Sequence, residues 1–116
     1  MREPRLEVLP ASERLQILEL DVTDPASISR ALDQAGPIDA LVNNAGAGLL
    51  GTLEGLSIDS TRALFELNTF GTMAVTRLAL PGLRSRGAGV IVNLSSAVTL
   101  KTLPLLSAYT ASKAAV

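Results

Sequence analysis

The stretch Val42-Asn43-Asn44-Ala45-Gly46-Ala47-Gly48-Leu49-Leu50-Gly51, VNNAGAGLLG, follows an apolar run and contains the spacing G-x-G-x-x-G. That spacing is the fingerprint of a loop whose backbone cradles a pyrophosphate. Such a loop requires a helix to start within the glycines, so that its free N–H groups meet the phosphate. Here Gly51 is followed by Thr52-Leu53-Glu54-Gly55-Leu56, and the best helix start comes later, at Ser57. The stretch is therefore read as a loop leaving a buried strand. Asn43 and Asn44 gain weight instead, because amides at a strand end can bond neighbouring strands or the edge of a ligand.

On either side of this loop, strand-like and helix-like runs alternate. Leu15 to Leu20 is rich in aliphatic residues and ends at the polar stop Asp21-Val22-Thr23-Asp24, which predicts a strand over 15–20. Thr23 or Asp24 caps a helix over 25–35, with Pro25 at its first position, and Gly36-Pro37 ends it. A second strand spans 38–43. From Ser57 or Asp59 a long helix is expected over 57–85, with Ala63, Leu64, Leu67, Phe70, Ala74 and Leu78 at helical spacing. Phe65, Met73 and Val75 widen that face, and Pro81-Gly82 should kink or end the helix. A third strand covers 89–95, a loop runs to Leu106, and Ser107 caps a last helix over 107–116. Alternating strands and helices, with strands that read as continuous aliphatic runs, indicate α/β architecture: one domain over 1–116, part of a doubly wound parallel sheet.

Composition narrows the chemistry. Of 116 residues, 47% are apolar and only 3% aromatic, so the core is built from aliphatic side chains. A net charge of −1 with scattered Lys and Arg offers no basic stripe for nucleic acid and no polybasic membrane patch. The absence of cysteine removes disulfides and thiol catalysis and suits a cytoplasmic setting. The absence of histidine excludes Ser-His-Asp triads, imidazole acid–base chemistry and His-based zinc sites, so no metal centre is expected. Proton transfer near neutral pH must then use Tyr, Lys, Asp or Glu.

Tyr109-Thr110-Ala111-Ser112-Lys113 supplies such a pair. Residues four apart share a helix face, which brings the phenol and the ammonium together. A phenol titrates near ~10, and an adjacent cation favours its ionised form. Alone, the pattern equally describes a half-exposed Tyr beside a solvated Lys.

The pattern is not alone. Over residues 15 to 116 the sequence resembles the short-chain dehydrogenase/reductase family, a Rossmann-like fold, in the order and spacing of several elements. Asp21-Val22 resembles the acidic residue after the third strand, which contacts the adenine. Asn43-Asn44-Ala45-Gly46 is similar to the N-N-A-G element that closes the fourth strand. Asn68 falls where the family has an asparagine inside a helix. Ser96 lies thirteen residues before Tyr109, the family's usual gap for the catalytic serine, and Tyr109 and Lys113 match its Y-x-x-x-K.

The resemblance implies an oxidoreductase that transfers a hydride between NAD(P)(H) and a carbonyl or secondary alcohol. Asn68, Ser96, Tyr109 and Lys113 would be catalytic. Asp21, Val22, Asn43, Ala45 and Gly46, together with Tyr109 and Lys113, would bind the coenzyme. Tyr109 would exchange a proton with the substrate oxygen, and Ser96 would hold that oxygen. Lys113 would assist Tyr109 and bond the nicotinamide ribose, while Asn68 would hold a water in a proton relay. Arg2 stands where many members pair the 2′-phosphate, which tilts the coenzyme from NAD to NADP. The leucine-rich segment 97–106 suggests an apolar small-molecule substrate, and a homo-oligomer is expected for a full-length parent.

The sequence departs from the family in two respects: it holds no T-G-x-x-x-G-x-G loop, and the part after Lys113 that would cover nicotinamide and substrate is expected to be missing. The expectation is a fragment running from the third strand into the sixth helix. In the family's strand order the segment 15–20 then lacks a neighbour and the edge of 38–43 is bare, so the isolated chain should be marginally stable and inactive. The alternative is a non-catalytic remnant that packs on other subunits through its long and last helices.

Overall fold

The computed structural model describes residues 12–116; Arg2, expected at the 2′-phosphate, lies outside them. Helix α1 (Pro25–Ala35) opens on Asp24, whose side chain accepts from the Ala26 N–H, with Pro25 at the first position where no donor is needed. Such a cap contributes about 1 kcal/mol. The helix ends at Gly36, whose φ of +70° is the left-handed conformation that glycine adopts without strain. Strand β1 (Ala40–Asn43) pairs in parallel with β2 (Val90–Asn93), in the register Ala40↔Val90 through Asn43↔Asn93. These strands are shorter than the expected 38–43 and 89–95.

One continuous helical segment connects the two strands. Helix α2 (Ile58–Phe65), capped by the Ser57 hydroxyl on the Ser60 N–H, passes into a π-helical turn at Glu66–Phe70 and then into α3 (Gly71–Ser85). The π turn is closed by the Gly71 N–H on the Glu66 carbonyl, a bond spanning five residues. It inserts one residue into the helical phase. The expected apolar stripe through Phe70, Ala74 and Leu78 is therefore displaced: Phe70 and Leu78 are 51% and 43% exposed. The buried positions are Gly71, Val75, Ala79 and Leu83, each one residue further along for the first three. Pro81 does not end the helix, which runs on to Ser85.

Two further expectations are corrected. The segment 15–20 is not a strand, because no described strand lies beside it to supply a ladder; Leu15, Ile17 and Leu20 remain 41–45% exposed. The sheet accordingly has two strands, not three. Ser107 is the first residue of α4 (Ser107–Ala114) and makes no capping bond, the cap position being Leu106. A short 3-10 turn, Ala97–Leu100, lies within the expected loop.

The core is small. Val22, Ile28 and Val75 form its centre, with Leu32, Leu41, Leu67 and Ala74 packed around them. Burial of a side chain such as fully enclosed Ile28 stabilises by about 1.5–3 kcal/mol. Gly71 lets this contact form: a Cβ there would stand 2.8 Å from Val22 Cγ2. Among the described residues no helix is long and apolar enough to cross a membrane.

Candidate active site

The carboxyl ends of both strands carry the site. At the end of β1, Asn43 uses its amide to tie three elements together: Nδ2 donates to Thr76 Oγ1 on α3 at 2.9 Å and to Asn93 Oδ1 on β2 at 2.8 Å. The amide proposed as ligand-facing thus holds the sheet to the helix. Asn44, by contrast, is exposed.

Beyond Asn43 the chain enters the loop 44–48, which the π turn grips. Asn68 is fully buried; its Oδ1 accepts from the Ala47 N–H and its Nδ2 donates to the Ala47 carbonyl, both at 2.9 Å. The wider π turn presents this side chain to the loop, a helix distortion that frequently marks functional sites. Nδ2 also donates to Ser112 Oγ on α4 at 3.0 Å. Gly46 sits in the angle between them: a Cβ there would lie 3.1 Å from Asn68 Oδ1 and 3.5 Å from Lys113 Nζ.

At the end of β2, Leu94 and Ser95 receive α4. Lys113 is buried and its Nζ donates to the Leu94 carbonyl at 2.6 Å, while Ser95 Oγ donates to the Lys113 carbonyl at 2.6 Å. Ser95 is thus occupied in holding α4. Ser96, half-buried, caps the 3-10 turn through an Oγ that accepts from the Val98 N–H at 3.4 Å. Tyr109 is half-buried, one helical turn before Lys113.

Four of the seven residues expected to bind the coenzyme share one cleft, which Asn43, Tyr109 and Lys113 do not line. Asp21, Val22, Ala45 and Gly46, with Leu20, Ala47, Gly48 and Leu67, line a cleft of about 660 Å³. Thr23 donates its hydroxyl to Asp21 Oδ1 at 2.7 Å and its N–H at 2.9 Å, which holds the Asp21 carboxyl below the ordinary range. A second cleft, of about 440 Å³, lies by Gly36–Ile38 at the amino end of β1. In open α/β sheets ligands bind outside the carboxyl ends of the strands, which selects the cleft at Ala45–Gly48. Along Ala45–Gly48 the side chains are small and leave backbone to line it.

Gly46, Asn68 and Lys113 are therefore brought together, and Asp21, Val22, Ala45 and Gly46 share a cleft. Sequence reasoning did not single out Thr69, Thr76 or Ser112, and it weighed Ser95 only as an alternative to Ser96 for the catalytic serine. Ser112 stood in the quoted Tyr109–Lys113 stretch, one of several polar residues in a short helix, and nothing in the sequence set it apart.

Residues 3–116 match the family model described as short chain dehydrogenase, and the chain belongs to that family. It is 42% identical over 105 residues to the uncharacterized oxidoreductase YusZ of Bacillus subtilis, covering 88% of this chain and 38% of that protein. A crystal structure of a short-chain dehydrogenase from Streptomyces avermitilis superposes with a TM-score of 0.80 at 41% identity, covering 89% of this chain and 40% of that one. The structure of ElxO with NADP bound gives a TM-score of 0.77 at 31% identity, covering 83% and 41%. The chain thus spans about two-fifths of these relatives' length.

Proposed function

We propose that this chain forms the catalytic side of an oxidoreductase that interconverts a small-molecule carbonyl and its secondary alcohol with NAD(P)(H). The observation that carries this reading is the buried Lys113, bound at the carboxyl end of β2 beside Gly46, with Tyr109 one turn before it. When bound, the nicotinamide supplies a hydride to the carbonyl carbon or takes one from the alcohol. Tyr109 gives its hydroxyl proton to the substrate oxygen in reduction and takes it back in oxidation. The Ser96 hydroxyl donates a hydrogen bond to the same oxygen. Lys113 holds the nicotinamide ribose. Asn68, whose backbone carbonyl accepts from Thr72 Oγ1, holds a water in the proton relay.

Asp21 and Val22, with Ala45 and Gly46, hold the adenosine side of the coenzyme, and Asn43 fixes the strand end that carries them. NADP is favoured over NAD, a reading supported by the NADP-bound neighbour and by the basic Arg2. An apolar substrate is supported by Leu100, Leu103 and Leu105, which are 85%, 45% and 47% exposed in the segment between Ser96 and α4. Exposed Phe70 and Met73 support packing between subunits.

The test is Tyr109→Phe in the protein as its gene encodes it, assayed by NADPH oxidation against a panel of ketones. The rate should fall at least about a thousandfold. An unchanged rate would overturn the assignment of Tyr109 as the proton donor. No turnover by the unaltered protein would leave the non-catalytic packing module as the better reading.

A further inference from the structure

The mechanism leaves two buried hydroxyls unused, and both meet α4 between Tyr109 and Lys113. Ser112 is completely enclosed; its Oγ accepts from Asn68 Nδ2 at 3.0 Å and donates to the Tyr109 carbonyl at 2.8 Å. Thr69, the next residue of the π turn, is 7% exposed and donates its Oγ1 to the Ser112 carbonyl at 3.0 Å. Two successive π-turn side chains therefore grip one α4 residue, Asn68 at the Ser112 hydroxyl and Thr69 at the Ser112 carbonyl. Among the described residues no buried side-chain polar atom lacks a partner, so the network is complete. Networks of this kind impose geometry, because any displacement strands a buried polar group.

We propose that Thr69 and Ser112 are positioning residues that set the roll of α4 about its axis, and with it the aim of Tyr109 and Lys113. Side chains end about 5–6 Å from a helix axis, so a roll of about 10° moves them by about 1 Å. Misplacement by 1 Å can cost about a hundredfold in rate. Apolar packing leaves such a roll weakly defined here, because Ala108 is the one apolar residue of α4 that is buried. The Ser95 bond to the Lys113 carbonyl anchors the helix from the β2 side, and the Thr69 bond holds it from the π turn. The aiming role rests on the reading of Tyr109 and Lys113 as the reacting groups.

The experiment compares Thr69→Val, which keeps shape and removes the hydroxyl, with Thr69→Ser, which keeps the hydroxyl, and adds Ser112→Ala. All are made in the protein as its gene encodes it. Thr69→Val should lower kcat and raise the KM for NADPH by about tenfold, the effect of one lost buried hydrogen bond, and Ser112→Ala, which loses two, by at least about tenfold. Thr69→Ser should stay within about twofold. Loss of folded protein alone would lower kcat and leave KM unchanged, and that result would overturn the proposal. Amide hydrogen exchange, which needs no turnover, is measured on the same proteins. Exchange across residues 109–113 should speed up about tenfold in Thr69→Val and Ser112→Ala, with α1 unaffected. Unchanged exchange in α4, complete exchange of α4 in the unaltered protein, or equal behaviour of Thr69→Val and Thr69→Ser overturns the clamp. Activity surviving Tyr109→Phe would instead overturn the functional reading, and the exchange measurement would still decide the clamp.

Discussion

The ammonium of Lys113 donates to the carbonyl of Leu94 at 2.6 Å while only 7% of the residue is exposed. The ion pairs among the described residues do not include it. A buried cation held by a neutral carbonyl is a poor contributor to stability, and its replacement by an apolar side chain of similar length is tolerated or stabilising. Lys113→Met should therefore separate two properties. The kcat/KM should fall at least about a hundredfold, while Tm stays the same or rises. Thermal melts and NADPH oxidation on one preparation check this, and a large drop in Tm would assign Lys113 a structural role instead.

Gly46 and Gly48 offer a matched comparison within one loop. A Cβ on Gly46 meets Asn68 Oδ1 at 3.1 Å, and Asn68 is held by Ala47 and Ser112, so it cannot withdraw. A Cβ on Gly48 meets nothing within 4 Å. Gly46→Ala should cost about 1–2 kcal/mol from crowding and weaken coenzyme binding, whereas Gly48→Ala should be close to neutral. Urea midpoints for the two variants decide the point, and equal values would contradict it.

Asn43 joins β1, β2 and α3 through Thr76 and Asn93. Asn43→Ala should destabilise by about 1–2 kcal/mol, since it removes both bonds and leaves the partly buried Thr76 hydroxyl unpaired while exposed Asn93 can turn to water. Combined with Thr76→Val, the double variant should cost less than the sum of the singles by about 1 kcal/mol. Simple additivity in chemical denaturation would show that the bond carries no energy.

Acid should weaken the fold partly through Asp21. The Thr23 hydroxyl first, and the Thr23 N–H second, hold its carboxyl below the ordinary 3.8. A depressed folded value means that the stabilisation is present above the unfolded value and is lost as pH falls through the folded one. Stability of the parent should thus decline more steeply than that of Thr23→Val as pH drops from about 4 downward, with parallel curves at neutral pH. Denaturation series across that range measure it, and parallel curves throughout would remove Asp21 from the acid response.

Helix caps, turns and the spacing of Asn43–Gly46, Asn68, Ser96, Tyr109 and Lys113 were legible because each depends on local chemistry or fixed chain distance. Asp24 with Pro25, Gly36 and Ser57 stand where their side chains or dihedral freedom predict. Three features were not legible. That 15–20 is not a strand is the first, because an aliphatic run becomes one only beside a neighbour, which no local pattern supplies. The buried face of the long helix depends on one inserted residue, and Phe70 or Leu78 looks as suited to burial as Val75 or Ala79. Ser107 has the chemistry of a cap, yet the backbone leaves it inside the helix, and Ser112, with the same side chain, became the buried partner.

The π turn also makes residue count a property of the site. Each residue added to or taken from a helix rotates everything beyond it by about 100°. Inserting one residue between Leu64 and Asn68 would bring Ala74 and Leu78 to the places of Val75 and Ala79, and would turn Asn68 and Thr69 away from their partners. Substitution at Glu66 or Phe70, both exposed, leaves that phase intact. The segment should therefore tolerate changes of letter far better than changes of length.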